Sequence, residues 1–231
     1  MRMTSKQKTL RLVQLSLLVA LVVVLQLVSA LIPPIAGTVS ITLTLVPVVV
    51  GAILFGISGG FVLGFTFGLI VLINCITGLD PGGNVLWTVN PVMTALLCFV
   101  KGIAAGVVPA VLYNLIKGNK ESKQPKDGKN QVVSKNCDVT SGEQDLQKNG
   151  RKFVSALVAA LSAPIVNTGL FVCGMLVFFM DTLTAWAGGT SVASFILLGL
   201  AGVNFIVEFL INIILTPAIV RIVDVVRKKL K

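Results

Sequence analysis

The chain has 231 residues, 55% of them hydrophobic and only 12% charged, with a mean hydropathy of +0.95. A soluble domain carries about 25% charged residues, so the composition excludes one and predicts an all-α integral membrane protein. The net charge of +10 does not indicate nucleic acid: the basic residues flank apolar spans without interleaved aromatics, and topology and anionic lipid account for them.

In chain order, a basic cluster (Arg2, Lys6, Lys8, Arg11) precedes a first helix over Leu10–Leu31, ended by Pro33-Pro34. Its apolar stretch reaches across the ~30 Å hydrocarbon core at 1.5 Å per residue. It is longer than a signal peptide's apolar region, so it reads as a retained helix. A second span over Ile41–Ile57 and a third over Gly59–Thr77 are separated by the break at Ser58–Gly60. A polar, Gly/Pro-rich stretch runs from Gly78 to Asn84 and leads to a fourth span, Val89–Ile116. Lys117–Lys152 is a hydrophilic insert, predicted to be disordered over about 118–151 because it cannot bury enough apolar surface to fold. The fifth span is Phe153–Met180, the next loop is Asp181–Thr190, and the sixth span is Val192–Ile222. Residues 1–231 thus read as one six-helix membrane domain.

Four basic residues lie at the start, nine between Lys117 and Lys152, and five from Arg221 to Lys231; Lys101 stands apart. Basic loops stay cytoplasmic. With six spans, both termini and the insert share the cytoplasmic side, and the loops Ile32–Ser40, Gly78–Thr88 and Asp181–Ser191, which carry no Lys or Arg, lie outside. Five spans put the basic C-terminus outside, so that count is rejected. Trp87 and Trp186 fall at the outer boundary, where aromatic belts form. There is no histidine and no CxxC among Cys75, Cys98, Cys137 and Cys173, so neither a metal site nor a disulfide is indicated.

Several polar residues interrupt the spans. Lys101 comes out about 18 Å deep in the fourth helix. A charge there is costly and marks a functional site unless it is paired; a pair with Glu208 is the structural alternative. In the sixth span, spacing of four puts Asn204, Glu208 and Asn212 on one face, which must meet protein or water. That face serves either a helix–helix clamp or a ligand. Pro164 followed by Asn167-Thr168-Gly169 predicts a broken fifth helix of the kind that lines transporter sites, or an ordinary kink. Asn74, Trp87 and Asn90 complete the candidate binding set. The Gly60-x3-Gly64-x3-Gly68 ladder is read as close helix packing. No phosphate loop, GxSxG or HExxH occurs. Asp80, Asp181 and Asp224 stand isolated, without a carboxylate pair for hydrolysis, so the chain does not read as an enzyme and no cofactor is expected.

The stretches Thr42–Gly56 and Gly60–Gly68, with Pro164–Phe171, resemble the substrate-binding S component of an energy-coupling factor (ECF) vitamin transporter, most of all its pantothenate-type branch. The resemblance covers all but the insert. It implies a six-helix fold in the cell membrane, with a vitamin held on the outer side under the loops after helices one, three and five. It also implies partners: a membrane coupling subunit and two ATP-binding cassette ATPases. The family's alanine motif in the first helix, which packs on the coupling subunit, corresponds to Ser16-x3-Ala20, with serine in place of the first alanine. Lys101 suits the carboxylate of an anionic vitamin such as pantothenate. The alternatives are a small proton-coupled secondary transporter with Glu208 as relay, an S component for riboflavin or folate, and a non-transport membrane protein.

Overall fold

The computed structural model describes residues 5–31, 43–118, 140–200 and 202–229, and these are helical throughout, with no strand among them. The elements are α1 (Ser5–Leu31), α2 (Leu45–Thr77), α3 (Pro81–Val89), α4 (Pro91–Gly118), α5 (Thr140–Phe178), α6 (Met180–Ala187), α7 (Val192–Phe195), a π turn (Ile196–Leu200) and α8 (Gly202–Lys229). Among the described residues, five helices are long and apolar enough to cross a membrane, taking α2 as one.

α2 is not one straight rod. At Gly56 the backbone takes φ 71, ψ −156, a conformation that side chains with a Cβ rarely adopt. The helix folds back there. Gly51 lies against Leu63, and Gly60 lies against Ala52, pairs that an unbroken helix would hold well apart. The sequence places this break at Ser58–Gly60; the structure places it earlier. The reason is that Gly59 and Gly60 are used in packing: a Cβ on Gly59 would strike Phe55, and one on Gly60 would strike the Gly106 carbonyl. The first leg, Leu45–Phe55, is about 16 Å long at 1.5 Å per residue, too short by itself for a ~30 Å core.

α1 runs antiparallel to that first leg. At one end the Arg11 guanidinium donates to the Phe55 carbonyl (3.2 Å) and sits 5.7 Å from the Phe55 ring centroid. At the other, the Thr44 hydroxyl donates to Gln26 Oε1 at 2.7 Å, and the Leu43 N–H donates to Ser29 Oγ at 3.4 Å. The basic start of α1 and the Gly56 turn therefore share one end of the molecule.

The second leg of α2 packs antiparallel on α4 through glycine. Gly60 meets Gly106, Gly64 meets Gly102, and Gly68 meets Cys98, backbone against backbone. This is the close approach that small residues permit in lipid. Val22, Val49, Leu63, Phe67, Ala105 and Ala160 belong to the core around this seam.

Three further boundaries differ from expectation. The outer loops predicted over Gly78–Thr88 and Asp181–Ser191 hold short helices, α3 and α6. α2 stops at Gly78, a left-handed C-cap (φ 79), and Asp80-Pro81 starts α3 with proline in its first turn, as proline's fixed φ favours. α5 is unbroken through Pro164, against the predicted broken helix; such prolines are tolerated where neighbouring helices and hydroxyls compensate. α5 also begins at Thr140, inside the stretch that composition predicts to be without structure; residues 119–139 lie outside the described ones. At the α3 end, Leu86 of α3, Leu97 of α4, Met175 and Phe179 at the end of α5, and Leu183 of α6 form a second core. The two short helices thus roof the same end of the bundle.

Candidate functional site

The roof covers polar atoms. α3 begins directly over α2: a Cβ on Gly83 would strike Cys75 Sγ and crowd Asp80 Oδ2. The Asn84 amide donates to the Cys75 carbonyl at 2.9 Å, and the Asp80 N–H donates to the Asn74 carbonyl at 3.2 Å. Asp80 occupies the N-cap position of α3 but closes no capping hydrogen bond. Its Oδ1 is buried without a hydrogen-bond partner. Burial pushes the Asp80 carboxyl above the usual carboxylate range, while Lys101 and the N–H groups of Gly83 and Gly82 favour its charged form.

Lys101 is half-buried on α4. Nζ lies 4.8 Å from the Phe171 ring centroid of α5, within cation–π range. It is near enough to Asp80 to act on that carboxyl, yet among the described residues no carboxylate oxygen comes within ion-pair distance of Nζ. The alternative of a Lys101–Glu208 pair is therefore not what the structure holds.

Asn167 lies one turn from Phe171 on the same face of α5 and is 6% exposed, with Oδ1 buried and unpartnered. Asn74, 2% exposed, has an unpartnered Oδ1 as well. The Cys75 and Cys98 thiols influence each other across α2 and α4, a proximity that their sequence separation hides.

Other candidates are placed elsewhere or otherwise engaged. Asn90 Oδ1 accepts the Met93 N–H at 3.2 Å, so its side chain caps α4 ahead of Pro91. Trp87 packs partly buried against the main core, and Trp186 against the second. On α8, Glu208 and Asn212 are fully buried. The Asn212 amide donates to the Glu208 carbonyl (2.8 Å), and the Thr216 hydroxyl donates to the Asn212 carbonyl (2.7 Å). This face bonds back along its own helix. Asn204 lies in α8, but its side chain is outside the described residues. Ser16 and Ala20 are exposed on α1, on a face with Leu12, Val13, Leu17 and Leu21; Ser16 Oγ donates to the Leu12 carbonyl at 3.0 Å.

Asp80, Phe171 and the two cysteines are the members that sequence reasoning missed. Asp80 had a legible signal: Asp-Pro-Gly-Gly is a helix start, with the acid at the cap and proline behind it. Phe171 and the thiol pair carry no local signal.

No metal-ligating cluster occurs among the described residues. The arrangement brings a cation, an aromatic face and buried oxygens without hydrogen-bond partners into the α3/α6 half of an apolar bundle. Groups of this kind can bind a polar molecule. No curated protein and no solved structure matches the chain. The model of the family "ECF transporter, substrate-specific component" matches residues 10–220. That match spans nearly the whole chain, so the protein belongs to the ECF transporter substrate-specific component family and is a multi-pass protein of the cell membrane.

Proposed function

We propose that this chain captures an anionic vitamin such as pantothenate at the α3/α6 end and delivers it through an ECF transporter. The observation that carries the ligand class is Lys101, a half-buried ammonium held under the roof against Phe171 with no carboxylate at ion-pair distance among the described residues. A ligand carboxylate there gains a charge-assisted hydrogen bond of about 1.5–3 kcal/mol, strengthened in a dry chamber. The buried, unpartnered amide oxygens of Asn167 and Asn74 support including both residues in the proposed site. The face of Glu208 and Asn204 on α8 and the indole of Trp87 extend the proposed pocket.

Members of this family are transporter subunits, not enzymes, and work with a membrane coupling subunit and two ATPases. For this chain we propose contact with the coupling subunit through the uncovered α1 face at Ser16 and Ala20. We further propose that the Gly56 reversal divides α2 into two passages, the first a short leg sheltered among its neighbours, giving six in all, with both termini and the insert cytoplasmic. The shared end of Arg11 and Phe55 supports that arrangement. Single cysteines at Asn84 and Asn130 in a cysteine-free background test it; labelling of position 130 from outside intact cells contradicts it.

The functional test is twofold. Denaturing the purified protein and weighing any released small molecule identifies the ligand. Reconstituted alone, the chain binds that vitamin but does not accumulate it; accumulation without ATP or partners favours a proton-coupled carrier with Glu208 as relay.

A further inference from the structure

Among the described residues, the buried side-chain atoms without hydrogen-bond partners include Asn74 Oδ1 and Asp80 Oδ1 at the roofed end and, deeper on α5, Asn167 Oδ1, all of them acceptors. The cation among them is Lys101, which faces Phe171. Asparagine amides can be turned to present nitrogen instead of oxygen, but a carboxylate cannot: both its atoms are oxygen. Buried acceptors without donors are costly and demand an explanation. A ligand that offers only a carboxylate suits Lys101 and leaves Asp80 facing a second anion at short range, which is unfavourable in a low-dielectric chamber.

We infer that Asp80 is the hydrogen-bond-accepting half of the Lys101 site, so that the ligand brings a donor (hydroxyl, amide N–H or amine) beside its anionic group. This rests on the reading of Lys101 given above and narrows the ligand class from anions to anions with adjacent donors. The position of Asp80 suits the role. It stands at the junction of α2 and α3, with Oδ2 over Gly83 at the start of α3 and Oδ1 buried and unmatched. A donor on Oδ1 would tie the ligand to the first turn of the roof. Lys101 acts on the Asp80 carboxyl without forming an ion pair with it, so a ligand that carries both an anion and a donor can engage the two groups together.

The test uses the purified full-length chain and calorimetric titration with four probes. Pantothenate carries a carboxylate with hydroxyl and amide donors. Lipoate and nicotinate carry a carboxylate without such donors. Riboflavin carries donors without a carboxylate. The expected result is pantothenate bound at least tenfold more tightly than lipoate or nicotinate, with Asp80→Asn weakening pantothenate at least tenfold. Asparagine is a good N-cap, so α3 should persist; Asp80→Ser, another capping residue, is read in the same way if Asp80→Asn does not fold. Unchanged affinity in a folded Asp80→Asn protein overturns the inference. So does tighter binding, which is what a mere internal counter-ion to Lys101 would give. Lipoate or nicotinate binding as well as pantothenate also overturns it. Failure of the underlying reading looks different: Lys101→Met then leaves pantothenate affinity intact. Binding of riboflavin alone, lost in Asp80→Asn, removes the carboxylate but keeps Asp80 as acceptor. A chain that binds none of the four contradicts both.

Discussion

The two ends of the α2–α4 contact are built on opposite principles. Toward the Gly56 end, Gly60, Gly64, Gly102 and Gly106 bring the helices together backbone to backbone, with no side chain between them. Toward the α3 end, past Gly68 and Cys98, α2 carries Asn74 and Cys75 and leads to Asp80, where buried oxygens lack partners; Lys101 of α4 stands at the border, between Cys98 and Gly102. The seam is close-packed and complete in itself. The roofed chamber is incomplete, and an unsatisfied buried acceptor costs about 1–3 kcal/mol. We read that contrast as separating the part that sets the fold from the proposed ligand site. Substitutions in the seam should therefore cost the protein, and substitutions in the chamber should cost its affinity.

The largest expected effect is in the seam. A Cβ on Gly64 would run into the Gly102 carbonyl, a backbone atom that cannot turn aside. Gly64→Val should abolish recovery of folded, monodisperse protein. Gly169→Ala is the control: nothing lies within 4 Å of its added Cβ, so recovery and unfolding temperature should match the wild type. Equal recovery of Gly64→Val and Gly169→Ala would show that the seam does not hold the helices together.

Next in size is an effect on transport alone. Ala20 is exposed on α1, away from the chamber. Ala20→Trp should reduce ATP-driven uptake by the complete transporter severalfold, while affinity in the isolated chain stays within twofold. Lost affinity would mean that α1 communicates with the chamber.

Smaller still is the cap. Asn90→Ala removes the acceptor for the Met93 N–H and should cost about 1 kcal/mol of stability, the ordinary value of an N-cap. Pantothenate affinity should stay within twofold. A tenfold loss would make Asn90 a ligand-binding residue after all. The smallest effect is expected from the insert: deleting residues 122–138, which stops short of α5, should leave affinity unchanged within twofold.

Much of this contrast was legible in the sequence. Hydropathy marked the apolar spans, although five helices long enough to cross are found among the described residues where the sequence predicts six, and glycines at spacing of four marked the seam. Lys101 stood out because a lone charge in an apolar run has no cheap explanation. What was hidden is non-local. The reversal at Gly56 is decided by which glycines the packing can spare, and Gly59 and Gly60 were already used. Pro164 signalled a break, but a helix among neighbours absorbs it. Asn90 looked like a pocket amide because its partner, a backbone N–H three residues on, leaves no mark in composition. Asp80 looked isolated because its counterpart, Lys101, lies on another helix. Depth in the sequence located the lysine, but not the Phe171 ring on another helix that its ammonium meets.

The central claim is that the Lys101 charge belongs to the ligand site and not to the scaffold. Lys101→Met keeps the stem and removes the charge, so affinity for pantothenate and thermal unfolding of the same preparation decide between the two. The account predicts binding weakened at least tenfold, about 1.4 kcal/mol, with the unfolding temperature preserved. Unchanged affinity in a stably folded Lys101→Met protein would contradict it and leave the anionic ligand without support.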